Sequence, residues 1–181
     1  PAEVRDRVFT LAAPFTARPR ALIDLNARFG GVTWGRNDVA IVTSRWFNTR
    51  REVRYLVDPS RPGRERVLIE RNYQDRYNDP GSPVVEANAR GRYVMQFTRD
   101  GRVLMEGQGA TRQGAYPFLS ALNLRTGETE RLWTSAPGEY ETIVGLLDAA
   151  SLRLVTRRET RDAPPNLHLR DVAAGTLTMT T

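Results

Sequence analysis

The chain is 181 residues long with 40% hydrophobic and 8% aromatic content, enough for one ordinary globular domain, and no apolar run nears the roughly 18 residues of a membrane span. It has no cysteine and a single histidine, which excludes disulfides, thiolate nucleophiles and Cys- or His-rich metal centres, so no cofactor is expected. Its net charge of +6 rests on arginine alone, among interspersed acids and without a basic run, recognition helix or RNP-like motif. A soluble protein with neither a membrane nor a nucleic-acid partner is therefore expected.

From Pro1 to Asp6 no basic stretch precedes an apolar one, so no signal peptide is expected here. The apolar residues then recur in short bursts bounded by Gly, Pro, Asn and Asp, which predicts strands and turns throughout and an all-β fold. Residues 1–29 supply two strands, around Val8–Leu11 and Ala21–Leu25, the end of an incomplete set. Residues 30–78 carry four, opening at Val32–Gly35 and passing through Val39–Ser44 and Val53–Asp58 to Arg66–Glu70, a span about the size of one propeller blade. Residues 79–135 form a longer set with a Gly-rich insertion, Gly107–Gly114, and residues 136–181 form a last one. Leu122–Trp133 and His168–Thr178 each read as strand, Gly-containing turn and strand, the shape of the outer hairpin of a blade. Periodicity thus favours a single domain, a partial β-propeller of about three and a half four-stranded antiparallel blades, with a β-sandwich as the alternative.

No residue is expected to be catalytic. A serine nucleophile needs a strained G-x-S-x-G elbow beside oxyanion donors, whereas Ser82 is followed by Pro83, which has no N–H to give. His168 alternates with Leu167 and Leu169 as a structural strand residue. The pairs Glu128/Glu130 and Glu139/Glu141 fall at alternate strand positions and are expected to line solvated faces. Gly107–Gly114 lacks the Gly-Lys-Ser/Thr ending of a phosphate-binding loop. Arginine remains as a source of recognition, since its guanidinium pairs carboxylates in a fork. Arg45, Arg50 and Arg51 cluster with Trp46, and Arg112 lies on the Gly-rich insertion.

Four segments in order, Trp46–Arg51, Tyr77–Pro83, Gly107–Leu119 and Thr126–Trp133, resemble the glutamyl endopeptidase branch of the prolyl oligopeptidase family of serine peptidases. The resemblance spans residues 30–145 and is strongest across 77–133. It implies the later blades of an N-terminal β-propeller whose parent also carries an α/β-hydrolase domain with the catalytic triad. No position here matches that triad. It further implies that the intact parent hydrolyses peptides after glutamate, while this segment caps the active site and filters substrates, with Arg50, Arg51 or Arg112 reaching the substrate. The partners implied are the remaining blades, the hydrolase domain and peptide substrates, together with a homo-oligomer through open blade faces. The alternative is a stand-alone all-β protein-interaction module. Polyanion binding is a third reading, and it predicts a steep salt dependence.

Overall fold

A computed structural model describes residues 3–180. Among them are sixteen strands and no helix, so the all-β expectation holds. The chain divides into two compact units, Pro1–Asp75 and Arg76–Thr181.

In the first unit β1 (Asp6–Thr10) and β2 (Arg20–Leu25) form an antiparallel pair. Then β3 (Arg28–Trp34), β4 (Ala40–Trp46), β5 (Arg51–Val57) and β6 (Arg66–Asn72) form an antiparallel meander in chain order. Alternation decides which face is dry. Ala40 and Val42 on β4 lie opposite Val57 and Tyr55 on β5, and all four pack with Leu22, Ile23 and Leu25 of β2. Each of the larger aliphatic side chains contributes roughly 1.5–3 kcal/mol by leaving water. On the other face Glu52 is 1% exposed and held between two guanidiniums, Arg45 Nη2 at 2.6 Å and Arg54 Nη2 at 2.9 Å. Removing one partner of such a buried pair costs about 3–5 kcal/mol, because the other charge is left uncompensated.

In the second unit β10 (Val103–Gly107), β11 (Phe118–Leu122) and β12 (Thr129–Thr134) form a sheet with the two-residue β7 (Ser82–Pro83) at its edge beside β10. The same run continues as β8 (Val85–Ala87), which pairs instead with β9 (Tyr93–Met95). Val84 is the point of exchange. Its N–H donates to Leu104 O at 2.8 Å, Leu104 N–H donates to Gln96 O at 2.9 Å, and Gln96 N–H donates to Val84 O at 2.9 Å. A last sheet, β13 (Glu139–Asp148), β14 (Arg153–Thr160), β15 (Asn166–Asp171) and β16 (Thr176–Met179), follows chain order. The two larger sheets share a core of Val84, Leu104, Leu119 and Leu154, closed by Leu132, Trp133, Ile143 and Leu146. Both predicted hairpins are present as β11–β12 and β15–β16, with Gly127 at φ 79° and Gly175 at φ 68° in their turns.

One expectation needs correction. Alternation puts Glu139 and Glu141 on a solvated face, yet Glu141 is fully buried. Arg170 forks onto it with two bonds of 2.7 Å and the Thr156 hydroxyl donates to it at 2.6 Å, while Glu139 is paired with Arg158. The two glutamates do share a side, but the matching arginines one and two strands away turn that side inward.

Candidate functional site

The three arginines singled out by sequence fall in different surroundings: Arg50 and Arg51 in the first unit, Arg112 in the second. Arg50 ends the turn between β4 and β5 with φ at 59°, a left-handed conformation that side-chain-bearing residues adopt only under constraint. Three interactions supply that constraint. Its guanidinium donates to the Phe47 carbonyl and lies 3.9 Å from the centroid of the Phe47 ring, and its own carbonyl accepts from Tyr73 N at 2.8 Å. No carboxylate pairs with Arg50 among the described residues.

Arg51 opens β5, and its Nε donates to Glu70 on β6 at 2.7 Å. That bond raises the guanidinium pKa above its ordinary value and lowers that of Glu70. Arg51 also lines an open depression of about 560 Å³ with Arg5, Asn26, Trp46 and Thr49. The Arg5 guanidinium stacks there on Trp46, 4.2 Å from the ring centroid. Sequence reasoning finds Arg51 and Trp46 but misses Arg5, which is far away along the chain and carries no local signal.

Arg112 sits at the tip of a small hairpin inserted between β10 and β11. An antiparallel bridge joins Ala110 to Ala115, Tyr116 N donates to Gly109 O at 2.9 Å, and Thr111 N donates to Gly114 O at 2.7 Å. The Gly-rich insertion is therefore an ordered β-hairpin, and Arg112 projects from it exposed, with no carboxylate partner among the described residues. Two glycines make the hairpin possible. A Cβ on Gly109 would stand 1.9 Å from Tyr116 O, and one on Gly107 would stand 2.5 Å from the Phe118 ring. The flank of the hairpin, from Gln113 to Tyr116, forms one wall of a depression of about 580 Å³ whose other walls are Gly138–Tyr140 and the Glu159–Pro165 turn. On its wall the Glu139 carboxyl is held below the usual carboxylate range by the Arg158 guanidinium. The Tyr140 hydroxyl donates to Gln108 at 2.8 Å.

The remaining candidates are structural. His168 is 9% exposed within β15, with Nδ1 at 3.2 Å from the Asn166 carbonyl. Ser82 opens β7 directly after a turn in which Gly81 N donates to Asp79 at 3.0 Å. Among the described residues no three His, Cys, Asp or Glu side chains are grouped to hold a metal ion, and no helix is long and apolar enough to cross a membrane.

No protein-family model matches the chain. It is 33% identical over 174 residues to a probable chloroplastic glutamyl endopeptidase of Arabidopsis thaliana, an alignment that takes in 87% of this chain and 18% of that protein. It is 30% identical over 167 residues to a probable chloroplastic glutamyl endopeptidase of Oryza sativa subsp. japonica, covering 84% of this chain and again 18% of the relative. The chain thus spans under a fifth of the length of the curated relatives it matches. Among solved structures it is similar to TolB of Acinetobacter baumannii, with a TM-score of 0.51 and 17% identity over 97% of this chain and 37% of that one. By fold this chain is a set of β-propeller blades, and by sequence it resembles a segment of the glutamyl endopeptidases.

Proposed function

We propose that this chain is the non-catalytic propeller segment of a serine peptidase of the prolyl oligopeptidase family, and that the intact protein cleaves peptides after glutamate. The observation that carries this reading is the similarity of most of the chain to two proteins named as probable glutamyl endopeptidases. In the intact protein an α/β-hydrolase domain supplies nucleophile, acid and base. The blades cover that active site, admit flexible peptides and keep bulk water from the acyl-enzyme. The partners are accordingly the remaining blades, the hydrolase domain and the peptide itself.

A substrate glutamate that leaves water needs a cation, because an unpaired buried carboxylate is costly. Arg50 and Arg112 suit that role, since neither guanidinium is engaged by a carboxylate. Arg51 already serves Glu70 and would have to divide its donors between two acids. The test is the intact protein with Arg50, Arg51 and Arg112 all replaced by alanine, assayed on matched peptides with glutamate or glutamine before the scissile bond. Loss of a charged hydrogen bond worth about 1.5–3 kcal/mol lowers kcat/KM for the glutamate peptide roughly 10- to 100-fold while leaving the glutamine peptide alone. An unchanged preference for glutamate would remove the arginines from the proposal.

A second reading, a protein-interaction module, draws support from the outer face of the last sheet. Val144 is 57% exposed and Leu167 43%, and Val155 and Leu169 lie on the same side. The two readings separate on whether a nucleophilic serine, an aspartate and a histidine follow in the same reading frame.

A further inference from the structure

Several arginines of the first unit are positioned by acids: Arg7 by Asp24, Arg28 by Asp6, Arg45 and Arg54 by Glu52. Arg5 is positioned by a ring instead. Its N–H donates to Leu25 O at 2.8 Å, one rung beyond the β1–β2 ladder, and its guanidinium lies 4.2 Å from the centroid of the Trp46 ring. A ring engages a guanidinium through its flat face and leaves the N–H donors at its edge unspent. Arg5 is partly buried, and among the described residues no carboxylate pairs with it. The cation is therefore held in place without being neutralised.

A second guanidinium stands beside the same ring. Trp46 of β4 pairs directly with Arg51 of β5, so both side chains leave the sheet on one face, with Cβ atoms roughly 5 Å apart. Arg51 gives its Nε to Glu70, while its Nη groups make no hydrogen bond among the described residues. Arg5 and Arg51 border one open depression of about 560 Å³, together with Asn26 and Thr49, whose side chains carry further donors. Glu3 also lines it but is exposed, where water and salt screen its charge. Forked cationic donors beside an indole suit a planar carboxylate on an apolar stem. A phosphate dianion fits less well, being tetrahedral and repelled about twice as strongly by Glu3.

We propose that the Arg5–Trp46–Arg51 depression binds a carboxylate presented by a peptide, at its C-terminus or on an acidic side chain. This does not rest on the peptidase reading: binding is measured on the 181-residue chain with no turnover, and Arg5 lies outside the triple replacement that tests that reading. The probe is N-acetyl-alanine, titrated into the isotope-labelled chain and followed by NMR at the Trp46 indole N–H and the Asn26 amide, with N-acetyl-alanine amide as the uncharged counter-probe. Saturable shifts with the acid and none with the amide are expected. Arg5→Gln should weaken binding at least about tenfold, the loss of a charged hydrogen bond. N-acetyl-glutamic acid α-amide, whose only carboxylate is on the side chain, then separates side chain from C-terminus as the source, by whichever of the two acids binds more tightly. Should Arg5→Gln fail to fold, the wild-type chain still answers through the difference between acid and amide. Non-saturable shifts, equal binding of acid and amide, equal binding by Arg5→Gln, or tighter binding of inorganic phosphate than of either acid overturns the proposal.

Discussion

Asp58 shows how one partly buried residue gathers enough local bonds to change its chemistry. The Ser60 hydroxyl, 2.5 Å away, is the largest influence, and the Arg61 guanidinium and Ser60 N–H add to it; together they push the carboxyl down from 3.8 to about 2. A carboxyl whose pKa is lowered by folding stabilises the fold only while ionised. Its contribution is therefore fully present above pH 3.8 and disappears as the pH falls toward 2. Side-chain NMR titration should place the Asp58 midpoint near 2, and Ser60→Ala should raise it further than Arg61→Ala does. The reverse order would mean that charge, rather than the hydroxyl, sets the value. The same logic with opposite sign applies to Glu106, where folding raises the pKa and deprotonation opposes the folded state.

At the scale of single elements the two kinds of glycine turn separate clearly. Gly109 has φ at 58° with the Tyr116 carbonyl filling the space where a Cβ would go, whereas Gly138 has φ at 82° and open space. Gly138→Ala should cost about 1 kcal/mol, the penalty of a left-handed conformation alone. Gly109→Ala adds a backbone clash that the hairpin cannot absorb and should cost about 3 kcal/mol. Urea midpoints of the two variants test this, and equal costs would show that the Arg112 hairpin yields freely. The sequence made the strands and the two outer hairpins legible because Gly, Pro, Asn and Asp punctuate alternating apolar runs, and those signals are local. What escaped was non-local. Alternation tells which side chains share a face but not which face another sheet covers, so the sequence reads Glu141 as solvent-facing and carries no signal for Glu106. Ordering of the Gly-rich insertion was equally invisible, since it depends on Phe118 packing against glycine backbone.

For the molecule as a whole the feature that matters is a sheet with only one face used. Leu154 and Thr156 of β14 point into the second unit's interior, whereas Val155, Leu167 and Leu169 point away from it with Val144 at the adjoining bulge. Stacked blades normally cover such a face. In a solution of this chain alone the cover available is another copy, so sedimentation velocity should show the average mass rising with concentration. Leu167→Asp should return it toward 20.4 kDa. A single species of 20.4 kDa at every concentration in the unmodified chain would exclude this face as a contact surface.

The meeting of three strands at Val84 has a mechanical consequence. Val84, Leu104 and Gln96 each donate to the next around a closed triangle, so none of the three is held by a single neighbour. An ordinary hairpin opens like a zipper, one rung after another under little force. Here detaching any one strand breaks two of the three bonds at once. The seam resists peeling and yields in a single event, which makes it a rivet in an otherwise laminar fold.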